Sequence, residues 1–312
     1  MMTYNREHYP LHELIDDTYE TIHKLHSRTE LVTGYPTGFV ELDCIAGGLH
    51  PGELIVIASR PSMGKSTLAL NIAHFLSVKR TPKVASAIFS LEIPKEQLVM
   101  RLFSATAGIS YGRMRTGHLN DTDLLKLDGA KESLRRGEIY IDDTAGIGIN
   151  ELLTKVRHLK TDHNVGLIII DYLQLMRDES RAVLSQEEIS NVSRSLKSLA
   201  RELNISIIVL SQLHRNLKKL KKNKRRPELS DLREAGSLEN DADAILFVYR
   251  ESVYCTKCRK RDGSCTRGHE NNAEIIIAKQ RSGAIGTVYL AYSGDTMSFK
   301  NLTARGLPSS DV

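Results

Sequence analysis

Ser59-Arg60-Pro61-Ser62-Met63-Gly64-Lys65-Ser66-Thr67 decides the fold of this 312-residue chain. The stretch follows Glu53-Leu54-Ile55-Val56-Ile57-Ala58, an apolar run of strand length, and precedes Leu68-Ala69-Leu70-Asn71-Ile72-Ala73-His74-Phe75-Leu76, which reads as a helix. Strand, loop of small residues, Gly-Lys-Ser and helix are the ordered parts of a phosphate-binding loop. Backbone N–H groups of such a loop and the open helix N-terminus face a triphosphate. Lys65 would set a point charge at the β- and γ-phosphates, and Ser66 would offer its hydroxyl to Mg²⁺. The general pattern has Gly where Ser59 stands. The plain alternative is a strand-to-helix turn with a chance lysine, and it does not require the three pieces in this order.

Apolar runs of this kind recur. Val84–Ser90, Ile139–Ile141, Val165–Ile170, Ile205–Leu210, Ala244–Tyr249, Ala273–Ala278 and Thr287–Tyr292 read as strands. Helices are expected from Pro94 to about Ala107, from an Asn150 N-cap to about His163, and over Gln186–Leu203. Alternation of strand and helix predicts an α/β fold, a mainly parallel sheet with helices on both faces. Ligands of such sheets sit at the carboxyl ends of the strands. Three polar residues fall there. Asp171 ends Leu167-Ile168-Ile169-Ile170 and is the expected Mg²⁺ partner of a phosphate loop; capping the next turn is its other reading. Glu92 follows Ile88-Phe89-Ser90-Leu91 and could orient, or take a proton from, the water attacking a γ-phosphate. Gln212 follows Ile207-Ile208-Val209-Leu210-Ser211, where an amide can contact the γ-phosphate and report its loss.

Bulk properties set the frame. The length suits one large domain with appendages. The net charge of +5 is mild and names no partner. No apolar run approaches the roughly 20 residues that cross a bilayer, and the first residues lack a secretory signal. A cytoplasmic location with reduced cysteines is the expectation, with no membrane partner.

Residues 1–32 are expected to form a docking helix. Leu11, Leu14, Ile15, Thr18, Ile22 and Leu25 share one helical face. That stripe must pack on its own domain, the simpler reading from periodicity, or on a neighbouring copy. Thr33–Gly38 reads as a turn-rich linker, residues 33–302 as an ATPase motor domain whose core begins near Phe39, and the end of the chain from about 301, or 303–312 in the strict division, as a tail.

Several stretches together resemble the motor domain of DnaB-type replicative helicases: Arg60–Ser66, Ser90-Leu91-Glu92, Ile170-Asp171-Tyr172-Leu173-Gln174-Leu175-Met176, Ser211-Gln212-Leu213, Ser230–Ser237, Asp241-Ala242-Asp243 and Ile277-Ala278-Lys279-Gln280-Arg281. The resemblance runs over about residues 10–300, and the family commonly has another small residue at the position of Ser59. It implies a RecA-like P-loop NTPase core, a homo-hexameric ring and ATP-driven 5′-to-3′ travel on single-stranded DNA. It assigns the loop from Ser59 to Thr67 to the nucleotide, Ser66 and Asp171 to Mg²⁺, Glu92 to the catalytic water and Gln212 to nucleotide sensing. Arg281 would be an arginine finger, with Lys279 beside it, reaching the neighbour's nucleotide; as bare sequence these are only two basic residues at a strand end. Arg233, Glu234 and Gly236 would line a central channel and hold DNA phosphates, whereas as bare sequence they read as an ordinary helix start. A helicase loader and primase are the implied partners. The family usually carries a further N-terminal helical domain before the linker, and primase contact depends on it; this sequence starts close to the linker, as a fragment or as a short paralogue would.

Two further features stand out. Lys218, Lys219, Lys221, Lys222, Lys224, Arg225 and Arg226 form the strongest charge cluster, either a solvated loop or an aid to DNA affinity. If it neutralises Z phosphates, log affinity should fall by about 0.7Z per log unit of salt. Within 253–271, Cys255, Cys258, Cys265 and His269 give Cys-x₂-Cys-x₆-Cys-x₃-His, which suits a structural, tetrahedral Zn²⁺; a reduced, cysteine-bearing surface loop is the alternative. Two other functions remain open at this level. A RecA-like recombinase filament is opposed by the loop from Asp231 to Ser237 and by Lys279-Gln280-Arg281. An ATP-regulated assembly module is opposed by the basic run and the channel loop.

Overall fold

The computed structural model describes residues 10–26, 32–171, 186–213, 226–235, 238–255, 258, 269, 271–281 and 283–302. One nine-stranded sheet organises them. Its strands are β1 (Leu54–Ser59), β2 (Ser86–Ser90), β3 (Ile139–Asp142), β4 (Leu167–Asp171), β5 (Ser206–Gln212), β6 (Ala244–Tyr249), β7 (Asn272–Gln280), β8 (Gly286–Ser293) and β9 (Ser298–Asn301), in the order β3-β2-β4-β5-β1-β6-β7-β8-β9. The first six in that order run parallel. β7, β8 and β9 close the sheet as an antiparallel meander.

The unbroken apolar runs of β1 and β4 are buried along their whole length, as expected of strands covered on both faces. Side chains alternate between two cores. Leu54, Val56 and Ala58 join the core under α7 (Ile149–His163) and α8 (Gln186–Leu203), with Leu152, Val156, Leu196 and Leu199. Ile55 and Ile57 join the opposite core under α3 (Lys65–His74) and α4 (Lys95–Ala107), with Leu68, Ile72, Leu98 and Leu102. The helices cover both faces of the central strands, and the carboxyl ends of those strands carry the site.

Several expectations are corrected. The N-cap of α7 is Gly148, and Asn150 lies inside the helix. The Thr33–Gly38 segment is pinned to the domain: Gly34 and Tyr35 donate to Gly47 and Leu49 carbonyls, and Thr37 is buried where its N–H and hydroxyl both donate to Asp43. Asn301 belongs to β9 and not to a tail; its side chain accepts from Val40 N–H and donates to the Gly38 carbonyl. Residues 303–312 lie outside the described residues. The helix of Leu11–His26, α1, forms as expected, but Leu11, Leu14, Ile15 and Ile22 stay exposed, against the simpler reading that the stripe packs on its own domain. Helices that come without an expectation from periodicity include α2 (Val40–Ala46), α5 (Tyr111–Thr116), α6 (Asp121–Arg135), which starts with an Asn120–Asp123 capping box, and a single turn at Leu238–Asp241.

Candidate active site

β1 ends at Ser59, and the chain turns through Arg60–Gly64 into α3, whose first residue is Lys65. Ser62 and Gly64 take positive φ, 67° and 102°. At Gly64 a Cβ would stand 3.1 Å from the Phe299 ring and 3.2 Å from the Tyr292 ring, so the backbone passes where only glycine fits. Met63 is buried and anchors the loop below. Above, Arg60 Nη1 donates to the Tyr254 hydroxyl at 3.2 Å, and Arg250 Nη1 donates to the Ser62 carbonyl at 3.4 Å while its guanidinium lies 3.8 Å over Tyr292. Ser66 is half-buried and Thr67 buried at the start of α3.

The sheet order brings the polar strand ends together. Ser59 is level with Gln212 across β1 and β5, and Ser90 is level with Asp171 across β2 and β4. Lys65 Nζ donates to Asp171 Oδ1 at 2.8 Å, with both side chains almost fully buried. Glu92 lies two residues beyond the end of β2, exposed at the same edge. The structure therefore gathers Lys65, Ser66, Asp171, Gln212 and Glu92 at one end of the sheet. Oxygen donors from Ser66 and Asp171 at this end are the kind Mg²⁺ takes, so the residues present fit the ion.

Arg281 and Lys279 are elsewhere. Antiparallel β7 ends beside the start of β6, with Ala244 paired to Gln280. Arg281 N–H donates to the Asp243 carbonyl, and Asp243 N–H in turn donates to the carbonyl of Leu54, the first residue of β1. Arg281 also bonds the Asn240 carbonyl at 2.9 Å and pairs with Asp243 Oδ1 at 3.3 Å, half-exposed. Lys279 Nζ donates to the carbonyls of Glu239 and Ala242. Burial first, and then the Arg281 charge, lower the Lys279 ammonium below the usual lysine range. Buried Asp243 ties this end together: Leu54 N–H, Lys197 Nζ (2.6 Å) and Arg281 all reach it.

Leu229–Ala235, carrying Arg233 and Glu234, is a 3₁₀ segment; Gly236 and the basic run from Lys218 to Arg225 lie outside the described residues. Arg226 pairs with Glu274. The donor atoms of Cys255, Cys258 and His269 all lie within 4.8 Å of one another, while Cys265 lies outside the described residues. Sequence reasoning misses Asp243 as a tie, although it belongs to the Asp241-Ala242-Asp243 motif, and misses Arg250, Tyr254 and Phe299 as braces of the loop. No local pattern marks these three, because each acts through contacts distant in sequence.

No helix among the described residues is long and apolar enough to cross a membrane. The sequence model described as the DnaB-like helicase C terminal domain matches residues 34–301. The replicative DNA helicase DnaC of Bacillus subtilis (strain 168) is 44% identical over 294 residues, covering 94% of this chain and 62% of the relative; the chain thus spans less than two thirds of that relative's length. A solved ATPase domain superimposes with a TM-score of 0.83 at 34% identity, covering 95% of this chain and 100% of the other. A solved DnaB-like replicative helicase, described together with its interactions with primase, gives a TM-score of 0.80 at 34% identity over 95% of this chain and 68% of the other. The expected α/β, RecA-like architecture is borne out. Phosphate loop, sheet order and relatives agree, and the chain belongs to the DnaB-like helicase C-terminal domain family.

Proposed function

We propose that this chain is the motor of a cytoplasmic, homo-hexameric DNA helicase that hydrolyses ATP to move 5′ to 3′ on single-stranded DNA and open duplex at a replication fork. The observation that carries this reading is the separation of Arg281 from Lys65. β1 alone covers five residue steps from Leu54 to Ser59, about 17 Å of strand. Arg281 sits at the Leu54 end and the phosphate loop at the Ser59 end. An arginine so placed does not reach its own loop, but in a ring it can face the loop of the next protomer.

The chemistry follows from the residues at the loop. N–H groups of Arg60–Thr67 and the N-terminus of α3 hold the phosphates, and Lys65 turns from Asp171 to the β- and γ-phosphates. Mg²⁺ would be held by Ser66 and Asp171 and would supply positive charge that offsets the phosphate charge. Water attacks the γ-phosphorus, the bond to the β-phosphate oxygen breaks, and the Glu92 carboxylate takes the proton from the water. Gln212 contacts the γ-phosphate and registers its departure along β5. Arg281 from the neighbour, with Lys279 beside it, stabilises the charge of the transition state. Arg233, Glu234 and Gly236 would face the channel and hold DNA phosphates without reading bases. A loader and primase are proposed partners of the whole protein, primase by analogy with the DnaB-like structure described with it.

The test is complementation across the seam. Lys65→Ala and Arg281→Ala proteins, each without ATPase activity alone, should regain activity when mixed under conditions where subunits exchange. No recovery despite demonstrated exchange excludes the shared site.

A further inference from the structure

The cysteine cluster at the mouth of the β6–β7 hairpin is not used in the chemistry proposed above. A 3₁₀ turn, Glu251–Val253, leads out of β6 to Tyr254 and Cys255. Cys255 N–H donates to the Ser252 carbonyl, and on the return Asn272 N–H donates to the His269 carbonyl, so a local turn leads into Cys255 and another leads from His269 into β7. Cys258 Sγ stands 3.3 Å from His269 Nε2. In tetrahedral zinc, bond lengths of about 2.3 Å to sulfur and about 2.0 Å to nitrogen place sulfur and nitrogen ligands about 3.6 Å apart and two sulfurs about 3.8 Å apart. Donors within 4.8 Å of one another need only small side-chain rotations to reach those separations.

Composition points the same way. From Thr256 to Asn272 the chain holds no Val, Ile, Leu, Met, Phe, Tyr, Trp or Ala. It offers no large apolar side chain to bury. It carries Lys257, Arg259, Lys260, Arg261 and Arg267 against Asp262 and Glu270, so its charges repel. Two thiolates neutralise a divalent ion, and the metal then adds order without adding positive charge. Sulfur with imidazole selects zinc over Mg²⁺ or Ca²⁺, which take oxygen.

We propose that Cys255, Cys258 and His269 bind one structural Zn²⁺ that staples this hairpin. The staple sits next to the phosphate loop in the chain of contacts: Tyr254, adjacent to Cys255, accepts the Arg60 hydrogen bond and stacks on Tyr249 at 6.3 Å. The zinc site does not depend on the helicase reading, because its readout is metal and thiol chemistry.

The full chain, purified without chelator, should hold about one zinc per chain by elemental analysis, because thiolate and imidazole donors bind the ion tightly. Co²⁺ in its place should give the visible absorption of a tetrahedral thiolate site. Alkylation mapped by mass spectrometry should label exposed Cys44 at once, and Cys255 and Cys258 only after a strong chelator is added. The Cys255→Ser/Cys258→Ser double variant should lose the metal, and the wild-type cobalt spectrum and labelling pattern stand as evidence even if that variant misfolds. Zinc far below one equivalent, with Cys255 and Cys258 labelled as fast as Cys44 or recovered as a disulfide, overturns the proposal.

Discussion

Arg281 and Lys65 stand at opposite ends of the same β-sheet: Arg281 is hydrogen-bonded to Asp243 beside the first residue of β1, and Lys65 opens the helix that follows its last. The strand between them is the physical reason for the proposal that Arg281 acts on the nucleotide of a neighbouring subunit.

Arg281→Ala should leave nucleotide binding by the isolated chain unchanged, since the guanidinium is a strand length from its own loop. Hydrolysis in the assembled protein should fall by about 10³–10⁵, the usual contribution of an arginine finger. Equilibrium binding of a fluorescent nucleotide and steady-state phosphate release measure the two separately. A parallel loss of both would show that Arg281 supports its own subunit.

Gly64→Ala should cost about 1–3 kcal/mol of stability, because a side chain at that φ is strained and the Phe299 and Tyr292 rings must also move. Nucleotide binding should be lost with it. Gly108→Ala is the control: its φ is also positive, but no atom lies within 4 Å of the new Cβ. It should lower the melting temperature without touching nucleotide affinity.

His74, buried in the last turn of α3, has its pKa lowered from 6.5 to about 4, first by burial and then by the Lys79 charge. The folded state thus resists a proton that the unfolded chain accepts. Its contribution to stability is constant above pH 6.5, declines as pH falls toward 4, and levels off below. The span corresponds to at most about 3 kcal/mol. Denaturant midpoints across pH 7 to 4 should fall less steeply in His74→Gln. Equal slopes in the two proteins would assign the acid lability to other groups.

The exposed stripe of α1 predicts an intermolecular contact. Ile15→Asp with Ile22→Asp should shift the assembly, hexameric in the reading proposed above, to smaller species in mass photometry, with the melting temperature of the isolated chain unchanged. A drop in melting temperature with the same oligomer distribution would instead mean that the stripe folds back on its own domain.

Much of the site is legible in the chain itself. The phosphate loop can be read because strand, turn and helix are neighbours in sequence, and Asp171 and Gln212 because a polar residue ending a buried strand breaks a local pattern. α8 carries its own bounds in its periodicity. Asn150 has the side chain that favours a cap, whereas the helix takes Gly148. Thr33–Gly38 has the composition of a free linker, and its anchor, Asp43, lies on a helix too short to show a period.

By itself, then, the sequence determined the α/β class, the phosphate loop and which side chains bear charge at strand ends. All of these depend on residues a few positions apart, where chain geometry alone dictates who is adjacent. Only the tertiary structure decided that β4 and β5 bring Asp171 to Lys65 and set Gln212 level with Ser59, and that β7 runs antiparallel and carries Arg281 to the far end. It also decided that Tyr254, Arg250 and Phe299 brace the loop. Strand order and direction are set by how whole layers pack and how connections cross the sheet, and no local window of residues contains that information.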